Sequence, residues 1–223
     1  MGGIAIRLQC RSAPRAELSR TFGDIDLCGV SKLDYESFFV DHGYEPSIPF
    51  NRLNAMRYQR FDDEVQQIHI DLFLDRLEMC HQLEFKDRLD LDPYTLSPAD
   101  LLLTKLQIVE LNEKDIQDVI ALLLDHTLGG SGNPGEISPT RVADVCARDW
   151  GWWRTSHTTL ERCIAWIDSH DSNDFGRVRG ALELLITSID EVPKSRRWKM
   201  RASIGDRVRW YELPEDPTRS VSA

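Results

Sequence analysis

The sequence predicts an α+β protein, and three observations carry that prediction. Strand-like and helix-like segments mix up to about residue 127, a glycine-rich break follows, and the remainder is almost wholly of helical period. The break is Leu128-Gly129-Gly130-Ser131-Gly132-Asn133-Pro134-Gly135. It divides the chain into a mixed region over 1–127, a linker over 128–137 and a mainly helical region with a basic tail over 138–223.

Each element has its own signal. After Gly2-Gly3, Ile4 to about Cys10 reads as a short helix, and Asp24-Ile25-Asp26-Leu27-Cys28 alternates as a strand does. Leu33 to His42 reads as a helix that Gly43 ends from the C′ position. Met56 to Phe61 and Gln67 to Asp75 are two strands joined across Asp62-Asp63-Glu64. Ser97-Pro98 is a helix start, with a capping serine, proline in the first turn and Asp100 near the positive end of the dipole. Ile116, Val119, Ile120, Leu123 and Leu124 mark a second amphipathic helix. Ser138-Pro139 repeats the start signal and leads to about Trp150. Thr158 to Ser169 and Arg177 to Ile189 follow as helices. Arg197 to Leu213 is expected to form a hairpin around Gly205-Asp206.

Composition excludes several classes. With 27 Lys+Arg against 37 Asp+Glu the formal charge is -10, the wrong sign for a protein that coats nucleic acid without specificity. Apolar runs stay as short as Ala121-Leu122-Leu123-Leu124, so no membrane span or membrane partner is expected. The five cysteines contain no CxxC pair and read as reduced thiols of a cytoplasmic protein, not as a zinc site or disulfide frame.

The carboxylates carry the chemistry. On a strand, Asp24 and Asp26 share a face while Ile25 and Leu27 take the other. Two adjacent carboxylates repel, and a divalent cation with a preference for oxygen ligands removes the penalty. In Ile68-His69-Ile70-Asp71-Leu72-Phe73-Leu74-Asp75 the aliphatic residues line one face, and His69, Asp71, Phe73 and Asp75 the other. An acid amid so apolar a strand needs a partner or a metal. If this strand pairs beside the first, Asp71 completes a three-carboxylate cluster, and Asp75 is a strand-end acid facing water. Gly2-Gly3 ahead of a helix lets a phosphate approach the backbone and its unpaired N–H groups.

In this order, Gly2-Gly3, Asp24-Ile25-Asp26-Leu27 and Ile70-Asp71-Leu72 resemble the nucleotidyltransferase superfamily, the group of polymerase-beta-like enzymes. Leu101 to Gln107, with its Lys105, and Lys114-Asp115-Ile116-Gln117-Asp118 are similar to motifs of the abortive-infection branch, which includes the toxins of type IV toxin–antitoxin systems. The resemblance spans about residues 2–126. It implies a mixed sheet flanked by helices that transfers a nucleoside monophosphate from an NTP to an acceptor hydroxyl on RNA or tRNA, a protein or a small molecule. It also implies an antitoxin-like protein partner. By position, Asp24, Asp26 and Asp71 would hold Mg²⁺ and be catalytic, and Gly2, Gly3, Lys105 and Asp118 would bind the nucleotide. The alternative it leaves open is a degenerate relative serving as a nucleotide-binding or regulatory module. Outside that superfamily stands a structural α+β protein whose acids meet only Ca²⁺ or water.

Two further features have plainer readings. Trp150-Gly151-Trp152-Trp153 is read as a core cluster of the helical region, with base stacking as its alternative. From Lys194 to Arg209 seven cations stand against one acid, interleaved with Trp198. That basic stretch suits either an RNA acceptor or the acidic face of the same chain.

Overall fold

The computed structural model describes all residues except 16, 17, 19–21, 55, 56, 131–134, 171–173 and 214–223. In chain order the elements are α1 (Gly2–Gln9), β1 (Asp24–Gly29), α2 (Tyr35–Asp41), β2 (Glu45–Pro46), α3 (Ile48–Asn54), β3 (Tyr58–Asp63) and β4 (Ile68–Leu74). There follow β5 (Arg76–Glu78), β6 (Gln82–Glu84), α4 (Pro98–Leu106), α5 (Glu113–Asp125), β7 (Thr127–Leu128) and β8 (Glu136–Ile137). The last part holds α6 (Pro139–Arg148), α7 (Trp150–Asp168), α8 (Phe175–Glu191) and α9 (Arg196–Ile204). The fold is therefore mixed α+β, with a small mixed sheet and a helical C-terminal region.

The sheet order is β1-β4-β3-β2. β1 pairs with β4 in parallel, and the other two pairings are antiparallel. The alternation read from β4 is realised as two differently filled faces. Ile70, Leu72 and Leu74 pack with Phe61 and with Phe39 of α2 in one cluster. Phe73 points the other way and joins the main core with residues of α1, α4 and α5. On this second face the register sets Asp26, Asp71 and Arg60 in one row across three strands, and Asp24, His69 and Asp62 in the next. Side chains opposite one another on a shared face lie close enough to interact, so register alone creates these rows.

The helix starts follow local chemistry. The Asp100 amide donates to Ser97 Oγ at 3.3 Å, and the Arg141 amide donates to Ser138 Oγ at 3.2 Å. Asn112 and Asp115 form a reciprocal capping box at α5. Gly43 takes φ +86° just past α2, as its C′ position required.

Two expectations need correction, and two elements are new. The stretch Arg197 to Leu213 is no hairpin: the Trp198 amide donates to Ser195 Oγ at 3.1 Å to start α9, and Gly205 ends it at φ +62°. α7 begins at Trp150, eight residues before Thr158, because the Trp152 amide donates to Asp149 at 3.0 Å and caps it there. The β5–β6 hairpin and α3 were absent from the sequence reading, being too short to show a period. Met56, the centre of the glycine-rich stretch (131–134) and residues 214–223 lie outside the described residues. On either side of that stretch β7 and β8 pair in parallel, and one apolar core runs without interruption from Ala5 to Ile189. All five cysteines are free thiols. Among the described residues no helix is long and apolar enough to cross a membrane.

Candidate functional site

Asp26 lies at the centre of the polar face of β1, half-buried, with Asp24 exposed at the strand's start. Burial, then the charge of Asp24, push the Asp26 carboxyl up to about 6; the Met1 ammonium and Lys105 act against them, and Asp71 adds a further push upward. The Met1 amino group donates to the Asp26 carbonyl at 2.6 Å, seating the start of α1 on β1. Gly2 has φ +66°, and a Cβ built on it would stand 1.8 Å from Asp26 Oδ2. Only glycine permits both this conformation and so close an approach of backbone to carboxylate.

Asp71 sits beside Asp26 in register, yet its carboxylate is held by Arg60. Arg60 Nε donates to Oδ1 at 2.9 Å and Nη2 to Oδ2 at 3.2 Å, a two-pronged contact. Asn51 fixes Arg60 in turn, donating to its carbonyl at 3.1 Å and accepting from its amide at 2.7 Å. The hydrogen bond to Asp71 raises the Arg60 guanidinium above its ordinary value. Burial first, then Asp71, raise the neighbouring Tyr58 phenol. The partner that the sequence demanded for an acid in this strand is therefore an arginine, which sequence reasoning missed. Its signal was present in Tyr58-Gln59-Arg60-Phe61-Asp62, whose alternation puts Arg60 on the polar face.

Among the described residues no group of three His, Cys, Asp or Glu side chains is gathered tightly enough to hold a metal ion. Asp24 and Asp26 have no ion pair among the described residues, and they fit a divalent cation: their repulsion and the raised Asp26 are what such an ion offsets. Asp75, at φ +61°, accepts from the Ser31 amide at 3.2 Å and lies 3.8 Å from Lys86 Nζ; hydrogen bonding from the Ser31 side chain, and less so from its amide, lowers its carboxyl.

Lys105 is buried in the last turn of α4. Its ammonium lies 3.0 Å from Asp115 Oδ1 and 2.8 Å from Asp118 Oδ2. Burial alone would depress it, but Asp118 and Asp115 together outweigh burial and leave it raised. Gly2, Asp26 and Lys105 line one cavity of about 270 Å³, walled by apolar side chains that include Phe73, Leu77, Met79 and Ile108. Gly3 and Asp118 line a separate, smaller cavity of about 110 Å³. Of the residues singled out in the sequence, Gly2, Asp26 and Lys105 line one cavity, Asp24 and Asp71 neighbour Asp26 on the sheet, and Asp118 pairs with Lys105 while lining a second cavity with Gly3.

No family model, curated protein or solved structure matches this chain.

A larger cavity, about 700 Å³, shares Met79 and Cys80 with the first. Arg57, Arg148, Arg209, Trp152 and Tyr211 are among its walls. Trp152 also serves the core, its indole donating to the Gln82 carbonyl at 3.0 Å, and Trp150 is buried against Trp210. Arg209 stacks over Tyr211 at 4.7 Å. The strap from Val208 to Leu213 crosses here, with the Glu212 amide donating to the Cys80 carbonyl at 3.1 Å.

Proposed function

We propose that this chain is a Mg²⁺-dependent nucleotidyltransferase of the polymerase-beta-like type, moving a nucleoside monophosphate from an NTP to an acceptor hydroxyl. One observation carries the reading: a burial-raised Asp26, flanked by Asp24 and Asp71, lies against a glycine that admits no side chain and shares a cavity with a buried lysine. Mg²⁺ would be held by Asp24 and Asp26, with Asp71 beside them; bound there, it supplies positive charge to the oxygens that gain negative charge in the transfer. The apolar wall of Phe73, Met79 and Ile108 suits a nucleobase, and Lys105 offers a fixed cation to the phosphates. The acceptor approaches from the larger cavity beyond Met79 and Cys80. Its hydroxyl oxygen bonds to the α-phosphorus, the bond to the bridging oxygen breaks, pyrophosphate leaves, and the hydroxyl proton passes to Asp71.

A second reading, the nucleotide-binding or regulatory module, is favoured by the ion pairs that already engage Asp71 and Lys105. One experiment separates the two. The protein is incubated with each NTP labelled at the α-phosphate, Mg²⁺ and a cell extract. Label transfer that vanishes in Asp24→Ala supports the enzyme. Mg²⁺-dependent NTP binding by calorimetry without transfer supports the module, and absence of binding refutes both.

A further inference from the structure

Two surfaces outside the cavities described above are apolar, exposed and opposite in charge. The first is α2 with its flanks. Leu33, Phe38, Val40 and Ile48 are each about half exposed. Between Leu33 and Pro46 stand four acids, Asp34, Glu36, Asp41 and Glu45, and no lysine or arginine. Glu36, Asp41 and Glu45 have no ion-pair partner among the described residues. α2 turns Phe39 inward onto Phe61, so Glu36, Val40 and Asp41 remain on the outer side.

The second surface is α9. Its inner side is fixed by Trp198, whose indole donates to the Cys146 carbonyl at 3.0 Å, and by Arg201, stacked 4.4 Å over Trp150. Helical spacing places Arg196, Lys199, Met200, Ser203 and Ile204 on the opposite, solvent side. Met200 is 71% exposed, and Arg196, Arg197, Lys199 and Arg207 have no ion-pair partner among the described residues. Among the described residues these four cations of the basic stretch thus meet no carboxylate of their own chain. Lys194 donates to the Asp190 carbonyl and Arg201 to the Gly205 carbonyl, leaving the outer cations free.

We propose that these faces dock onto each other between two copies of this chain: the basic face of α9 in one copy against the acidic face of α2 in the next. Both faces combine an apolar centre with unpaired charge, and the charges are of opposite sign. That arrangement steers encounter and fixes orientation. The two faces are different patches, so the contact is head-to-tail, and it propagates into a ring or an open chain instead of ending at a symmetric dimer.

The test uses the full-length protein in light scattering and sedimentation over a concentration series. Mass rises above the monomer at roughly 0.1 mM protein, as for a weak contact of few apolar side chains. The association weakens by about tenfold or more when NaCl goes from about 0.05 to 0.5 M. Arg196→Glu/Lys199→Glu and, separately, Glu36→Lys/Asp41→Lys each yield monomers, and mixing the two variants restores association. All four sites are exposed, so both variants fold. A wild type that stays monomeric overturns the proposal. So does association that survives either charge reversal, or an α9 face that captures RNA or anionic vesicles while the chain remains a monomer.

Discussion

Lys105→Met is the sharpest test of the buried triad. The side chains of Lys105, Asp115 and Asp118 are each about nine-tenths buried, with contacts of 2.8 and 3.0 Å. Removing the ammonium leaves two carboxylates facing each other without a cation and away from water. Breaking a buried ion pair from one side costs about 3–5 kcal/mol. For a chain of this size that lowers the melting midpoint by roughly 10 °C. The pH dependence identifies the cause. In the wild type the raised lysine stabilises fully below its unfolded pKa, and that contribution is lost as pH rises through the folded value. Urea denaturation of wild type and variant at pH 7.5 and at about pH 11 measures it: the difference between the two proteins is full at the first pH and smaller at the second. A loss under about 1 kcal/mol at pH 7.5, or the same loss at both pH values, would refute the reasoning.

Other outcomes follow from the same geometry. Gly2→Ala forces a Cβ onto Asp26 at an unfavourable φ and is expected to cost about 2 kcal/mol or more, read by thermal melts. Asp26→Asn is expected to stabilise the ligand-free protein at pH 7.5 by about 1–3 kcal/mol. The Asp26 carboxyl is raised to about 6, so its penalty develops as pH rises through the unfolded value and is complete above about 6; the gain should vanish by pH 4 in denaturant titrations. Asn51→Ala removes both bonds that fix the Arg60 backbone and should cost about 1–3 kcal/mol, checked by the denaturation midpoint.

Much of this fold could be read from local pattern. The i, i+2 acids of β1 and the aliphatic alternation of β4 fixed which face each strand buries, since side-chain direction on a strand follows from position alone. The serines before Pro98 and Pro139 located two helix starts to the residue because a cap is a local contact. Arg60 was harder. Its partner lies across a strand pair, and nothing at position 60 itself distinguishes an ion-paired arginine from a solvated one. Lys105 also depended on distance in sequence: burial by α5 and two acids beyond the end of its own helix determine its state. α9 was misread because interleaved arginines and aromatics mimic strand alternation, while the deciding signal was a capping serine.

The row Asp26, Asp71, Arg60 has a consequence for how the protein can go wrong. It exists only because β1 meets β4 in one particular offset. Sliding β4 by a single residue would turn Asp71 toward the aliphatic cluster and bring Ile70 or Leu72 among the acids. A misaligned chain therefore cannot keep a sound core and an impaired site. It loses both at once, so quality control that senses exposed apolar surface also polices the site's wiring.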